Sequence, residues 1–334
     1  GGISAARGTR RLTDVAAIPV FDGGAHVEYE GSIDRSGGND DWDWGQYQDE
    51  NGEWVLAEDE GAGCVFNFTQ HRFSDADVVF RFYFDGEKIP RVTVKPSEFG
   101  SRAPFVGPLA GKFMPPKHRS LGRDFAIVRS FVPMEYTNGF KVTSSVALRG
   151  LKPGGWGHVL YHRYSDSHGV GSFRPDAFDV SLGVAASRLE MTSDRTNAVS
   201  QTIIPPGGSA CVCSCSGRGA LSGTSLIVRG FLPQDLTNAW IVLTFDGVRT
   251  CEAPVGTFFG CESAAVKTNL ETALIGFDIR GDTARFSNRF PMPYFSSAEV
   301  CVENRGAAPL DCSAVVGVNE TVCYDVRRTG LFCA

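Results

Sequence analysis

Phe80-Arg81-Phe82-Tyr83-Phe84-Asp85-Gly86, followed by Pro90 and a run ending Glu98-Phe99-Gly100, returns in outline later in the chain. The second copy reads Ile241-Val242-Leu243-Thr244-Phe245-Asp246-Gly247, then Pro254 and a run ending Phe258-Phe259-Gly260. Each has the same echo downstream, Phe131-Val132-Pro133-Met134-Glu135-Tyr136 in the first and Arg289-Phe290-Pro291-Met292-Pro293-Tyr294 in the second. The offsets are 161 residues for the aspartates (246 − 85) and 158 for the methionines (292 − 134), so a whole domain has been duplicated. A period this long excludes a solenoid of short repeats.

The repeated unit is built of strands. Segments such as Cys64 to Phe68, Val78 to Phe84, Phe140 to Leu148 and His158 to Tyr164 are short, β-branched or aromatic, and bounded by Gly, Pro and Asp turns. The second half repeats the series, and helical periodicity is nearly absent. About eight strands per half predict an all-β chain of two tandem jelly-roll sandwiches, a double jelly roll. The expected boundaries are an N-terminal arm over 1–30, a first sandwich over 31–165, a linker over 166–199 and a second, cysteine-rich sandwich over 200–334. Asp85-Gly86 and Asp246-Gly247 read as equivalent hairpin turns, because Gly tolerates the positive φ such turns need. Phe131 and Phe290 are expected on matching strands, buried.

The 334 residues suffice for two cores, and 42% hydrophobic with 21% charged is globular composition. No run approaches the eighteen apolar residues of a membrane-spanning helix. A net charge of −6 argues against a nucleic-acid partner. The start, Gly1-Gly2-Ile3, fits a product cut from a longer precursor.

Nine of the ten cysteines crowd the second half, which favours disulfides and a secreted or extracellular location. Cys251 with Cys261, and Cys301 with Cys312, are near enough in sequence to pair. Cys211, Cys213 and Cys215 lack zinc-ligand spacing; strand alternation would point all three thiols to one face, suited to separate cross-strand disulfides. Cys64 is expected to reach across the domain boundary or remain a buried thiol. Asn67-Phe68-Thr69 and Asn319-Glu320-Thr321 are glycosylation sequons.

Several stretches together resemble a glycoside hydrolase family of enzymes acting on α-D-fructofuranosides, including difructose dianhydrides, and on D-arabinan, long catalogued as a domain of unknown function. They are Asp34-Arg35-Ser36-Gly37-Gly38-Asn39-Asp40-Asp41, the run from Leu56 to Cys64, Tyr83-Phe84-Asp85-Gly86, and Arg289 to Tyr294. The resemblance implies a double jelly roll, assembly of copies of the chain into trimers or hexamers, and an architecture like that of viral capsid proteins. Active members carry glutamates in a Gly-Asp-Glu-type strand and a Gly-Thr-Gly-Thr-Glu-Asp motif, and neither occurs in these residues. Thr329 to Ala334 looks like the beginning of the segment that precedes the latter motif. Glycoside hydrolysis needs two carboxyls in distinct roles, so no catalytic residue is carried over.

The acidic, aromatic loop Asn39-Asp40-Asp41-Trp42-Asp43-Trp44 is the candidate carbohydrate site: Trp rings stack on sugar C–H faces and carboxylates accept hydroxyl hydrogen bonds. Two other readings apply to it, Trp residues filling the sandwich end, and a calcium loop of Asn39, Asp41, Asp43 and Glu50. The calcium reading is weakened by Trp44 in place of the required Gly. His158 and His162 lie about 13 Å apart on one strand, too far to share a metal. No metal or other cofactor is called for. Two function classes follow: a secreted, oligomeric, carbohydrate-directed protein without the family's catalytic motifs in this chain, or a structural subunit tiling an extracellular tube, coat or virion shell.

Overall fold

A computed structural model of the chain describes residues 2–39, 41, 44–45, 47–71, 78–113, 127–148, 155–183, 195–198, 202–261 and 269–334. These fall into two compact units, Arg7–Leu12 with Gly23–Ala185, and Gly1–Ala6 with Thr13–Asp22 and Ala186–Ala334.

The first unit contains strands Ala25–Gly31 (β1), Tyr47–Gln48 (β2), Trp54–Asp59 (β3), Ala62–His71 (β4), Phe80–Phe84 (β5), Val92–Val94 (β6), Ser101–Arg102 (β7), Phe105–Val106 (β8), Ala110–Phe113 (β9), Ile127–Ser130 (β10), Met134–Tyr136 (β11), Phe140–Ser144 (β12) and Gly157–Tyr164 (β13). One sheet runs β1-β13-β4-β10-β9, with β11 also on β4, and the other runs β2-β3-β12-β5-β6. First and last strands are neighbours and the sheets share strands alternately, which is the jelly-roll wrapping. Between the sheets, Phe68 meets Phe80 at 4.9 Å, Phe82 at 5.4 Å and Phe99 at 6.0 Å between ring centroids. Ala25–Gly31, of which residues 25–30 are expected within an arm, is a full strand paired to β13. The segment Gly8–Leu12 packs on β4 and β11, where Glu135 accepts the N–H of Thr9 at 2.8 Å and that of Gly171 at 3.2 Å. Cys64 is a buried thiol within this first unit.

The second unit repeats the plan with Arg195–Ala198 (β14), Thr202–Ile204 (β15), Ser209–Ser216 (β16), Gly219–Arg229 (β17), Ala239–Phe245 (β18), Val248–Pro254 (β19), Leu270–Glu271 (β20), Ile275–Arg280 (β21), Thr283–Asn288 (β22), Met292–Tyr294 (β23), Ser297–Asn304 (β24) and Leu310–Asn319 (β25). Its sheets run β14-β25-β17-β22-β21-β20 and β16-β24-β18-β19. The chain is therefore all-β, two tandem jelly rolls.

The duplication extends to backbone detail. Asp85 and Asp246 are the non-glycine residues with positive φ among those described, at 53° and 54°. Asp85 Oδ1 accepts the N–H groups of Thr137 and Asn138 at 2.7 Å each. Asp246 Oδ1 likewise accepts those of Phe295 at 2.9 Å and Ser296 at 2.6 Å. An aspartate tolerates the left-handed conformation better than most residues, and here its carboxylate ties each turn to the loop after the matching Met-x-Tyr strand.

Two expectations are corrected. Phe131 is 44% exposed. Aligned on the Pro-Met-x-Tyr echo, it is Val132, 1% exposed, that matches Phe290, and Phe290 is only partly buried. Strand alternation turns Phe131 outward, where Arg129 lies over its ring. The cysteine pairs also differ. The disulfide joins Cys211 to Cys301, which face each other across β16 and β24, whereas Cys251, Cys261 and Cys312 are buried in the core without S–S bonds. A register shift between Cys211 and Cys213 splits the three thiols of β16, leaving Cys213 and Cys215 in the core with sulfurs 3.5 Å apart.

Candidate functional site

Of the acidic, aromatic loop, Asp40, Trp42 and Asp43 lie outside the described residues. Asn39 is exposed. Asp41 Oδ1 accepts the Asp34 N–H at 3.1 Å. Trp44 is 1% exposed, its indole N–H donates to the Leu56 carbonyl at 2.9 Å and its ring lies 6.3 Å from Phe68. Buried between the sheets, it offers no stacking face for a sugar; it is a core wedge. Among the described residues, the side chains close enough to share a metal are Cys211, Glu299 and Cys301, and the two cysteines are spent in a disulfide. Of the sequons, Asn67 is buried and accepts from Thr69 at 3.0 Å, which leaves no room for a glycan, while Asn319 ends β25 beside the exposed Thr321.

A cleft of about 290 Å³ opens above Trp44, lined by Glu30, Arg35, Gly45, Tyr47 and Glu58 with Val55, Leu56 and Ala57. Its parts come from three places. Glu30 projects from β1, Tyr47 from β2 and Glu58 from β3, and Arg35 from the turn that Asp34 closes by accepting the Ser36 N–H at 2.9 Å. Gly45, at φ +79°, lets the chain pass over β3; a Cβ there would press on Leu56 and Trp54. Arg35 pairs with Glu30 at 3.4 Å and the Tyr47 hydroxyl donates to Glu58. Burial, then the Glu58 hydrogen bond, pushes the Tyr47 phenol above its ordinary pKa, so it stays a donor at all physiological pH.

Two of the motif stretches thus meet: Arg35 belongs to Asp34–Asp41 and Glu58 to Leu56–Cys64. Of the other two, one holds the Asp85 turn and the other puts Met292 and Tyr294 in the core of the second unit. Sequence reading missed Glu30 and Tyr47; the polar-apolar alternation Glu28-Tyr29-Glu30 was the available signal for the first. Chemically, the cleft is an acceptor-rich hollow with one cation, one hydroxyl and an apolar floor. Each carboxylate is already engaged by a donor. That arrangement suits binding of sugar hydroxyls.

Family models match both halves: a GH172 first β-sandwich domain over residues 23–180 and a GH172 domain-like model over residues 194–316. The chain belongs to the GH172 family. No curated protein matches it. Among solved structures, that of the infectious bursal disease virus Gx strain is 10% identical, covering 94% of this chain and 77% of that one at a TM-score of 0.19. The major capsid protein P2 of bacteriophage PM2 is 8% identical, covering 90% and 100%, at 0.18. At such scores the likeness adds nothing to the fold given by the strand order of this GH172 chain.

Proposed function

We propose that this GH172 chain is an extracellular, self-associating, furanoside-directed glycan-binding protein, and that the cleft between Glu30, Arg35, Tyr47 and Glu58 is where the sugar is held. The observation carrying this reading is the convergence of Arg35 and Glu58 on one concave surface whose carboxylates act as acceptors. The Cys211–Cys301 bridge supports an oxidising location. Calorimetric titration with fructofuranosyl and arabinofuranosyl oligosaccharides, alongside aryl furanoside hydrolysis assays, tests it. Binding without turnover, weakened about tenfold or more by Glu58→Gln, is the expected result; no binding of any furanoside sinks the reading.

A structural subunit is the second reading, favoured by Val27, Tyr29 and Phe113 on one sheet of the first unit and by Phe131 directly after its strand β10, all 44 to 66% exposed. Such side chains are the kind that copies of a chain bury on association. Phe131→Ser should then shift sedimentation toward monomer while leaving stability within about 0.5 kcal/mol, as for an exposed residue; an unchanged oligomer rejects this face as the contact.

A further inference from the structure

On the second unit, strand alternation places Leu226, Val228, Ala284, Phe286 and Phe277 in the core and turns their neighbours outward. One rung of the β17-β22-β21 ladder then carries Ser225, Ser287 and Gly276 side by side, and the next carries Ile227, Arg285 and Asp278. The first rung is made of the smallest side chains. A Cβ at Gly276 would already press on Ser287 Oγ at 3.0 Å and on the Leu270 carbonyl at 3.2 Å. The outer face is therefore hollow there, and a cleft of about 330 Å³ forms with Arg280, Arg285 and Arg289 around it.

The charges in this cleft are unevenly engaged. Asp278 is taken by Arg280 Nε at 2.8 Å, and Arg289 donates to the Thr272 carbonyl at 3.1 Å. Arg285 has no ion pair or hydrogen bond among the described residues, although Asp278 stands opposite it in register. Glu271 is the second carboxylate of the lining, so three guanidiniums face two acids in a chain whose net charge is −6. Asn269 holds the Ile279 N–H on its amide oxygen at 3.4 Å, which leaves its two N–H donors. Ile227 and Leu270 add apolar surface.

We propose that this cleft is a second glycan site, selective for an anionic sugar carrying a carboxylate or a sulfate. The free fork of Arg285 takes the oxyanion in a bidentate pair. Ser225, Ser287 and Asn269 meet the hydroxyls, Glu271 accepts from one of them, and Ile227 and Leu270 pack on the sugar C–H face. The site lies in the other unit from the cleft at Glu58 and does not depend on that reading.

Calorimetry on the full chain with a glucuronate-containing disaccharide, the matching neutral glucoside, a sulfated monosaccharide and inorganic sulfate tests it. The anionic sugars should bind at least tenfold more tightly than the neutral disaccharide, lose about tenfold in affinity in Arg285→Ala, and weaken as salt rises. Arg285→Ala should leave furanoside binding at the Glu58 cleft unchanged, so the two sites can fail separately. Equal affinity for neutral and anionic sugars, or full affinity in Arg285→Ala, would overturn the proposal, as would inorganic sulfate binding as tightly as the sugars, which would make this a bare anion site. Arg285 is exposed, so the variant folds; an unchanged thermal midpoint verifies it.

Discussion

Tyr136 stands opposite Gly63 in the β4–β11 pairing, with its hydroxyl where a Cβ at residue 63 would be. Tyr294 stands opposite Gly219 in the same relation in the second sandwich. What each hydroxyl then meets differs. Tyr136 donates to Asp59 at 3.3 Å, whereas Tyr294, with no nitrogen or oxygen partner, faces the thiol of Cys215. Asp59 and Cys215 both lie four residues before their glycine, so the duplicated frame has kept the glycine and the ring and changed the polar partner.

Gly63→Ala should accordingly destabilise the first sandwich by about 1–3 kcal/mol, the usual cost of overpacking, because the added methyl meets both a tyrosine and the His162 carbonyl. Urea unfolding measures it. A change below about 0.5 kcal/mol would mean that the Tyr136 ring moves aside freely.

Acid sensitivity is expected from the two turn aspartates. Burial alone would raise the Asp85 carboxyl, but hydrogen bonds from Ser172, Asn138 and Thr137 outweigh it and hold the group below its ordinary value. Asp246 is held down in the same way by Ser296, Ser297 and Phe295. Folded-state pKa values below the unfolded one of about 3.9 stabilise the fold above that pH, and this is lost as pH falls through the folded values. Asp85→Asn and Asp246→Asn should flatten the fall in thermal midpoint below about pH 4; an unaltered acid profile in the double variant would disprove the assignment.

The Cys211–Cys301 bridge closes a loop with a sequence separation of 90 residues, for which unfolded-chain entropy gives about 4.6 kcal/mol. Cys211→Ser should lower stability by roughly that amount under oxidising conditions and not at all under reducing ones. Non-reducing peptide mapping should recover these two cysteines linked and Cys251 as a thiol. Recovery of a Cys251–Cys261 peptide instead would refute the pairing.

The duplication, the all-β class, the jelly-roll wrapping and the equivalence of the Asp85 and Asp246 turns were all legible from residue order, because strand periodicity, turn chemistry and repeat spacing are local signals. Tertiary structure decided what depends on register. One shifted residue in β16 sent Cys211 to a different face from Cys213, one step of alternation turned Phe131 outward and Val132 inward, and packing between sheets consumed Trp44, which by composition looked like a sugar platform. The two clefts were equally hidden. Glu30 and Glu58 line one cleft although their strands belong to different sheets, and Ser225 joins the rung of Ser287 and Gly276 only because β17 lies beside β22, a strand distant in sequence; no local pattern specifies either placement.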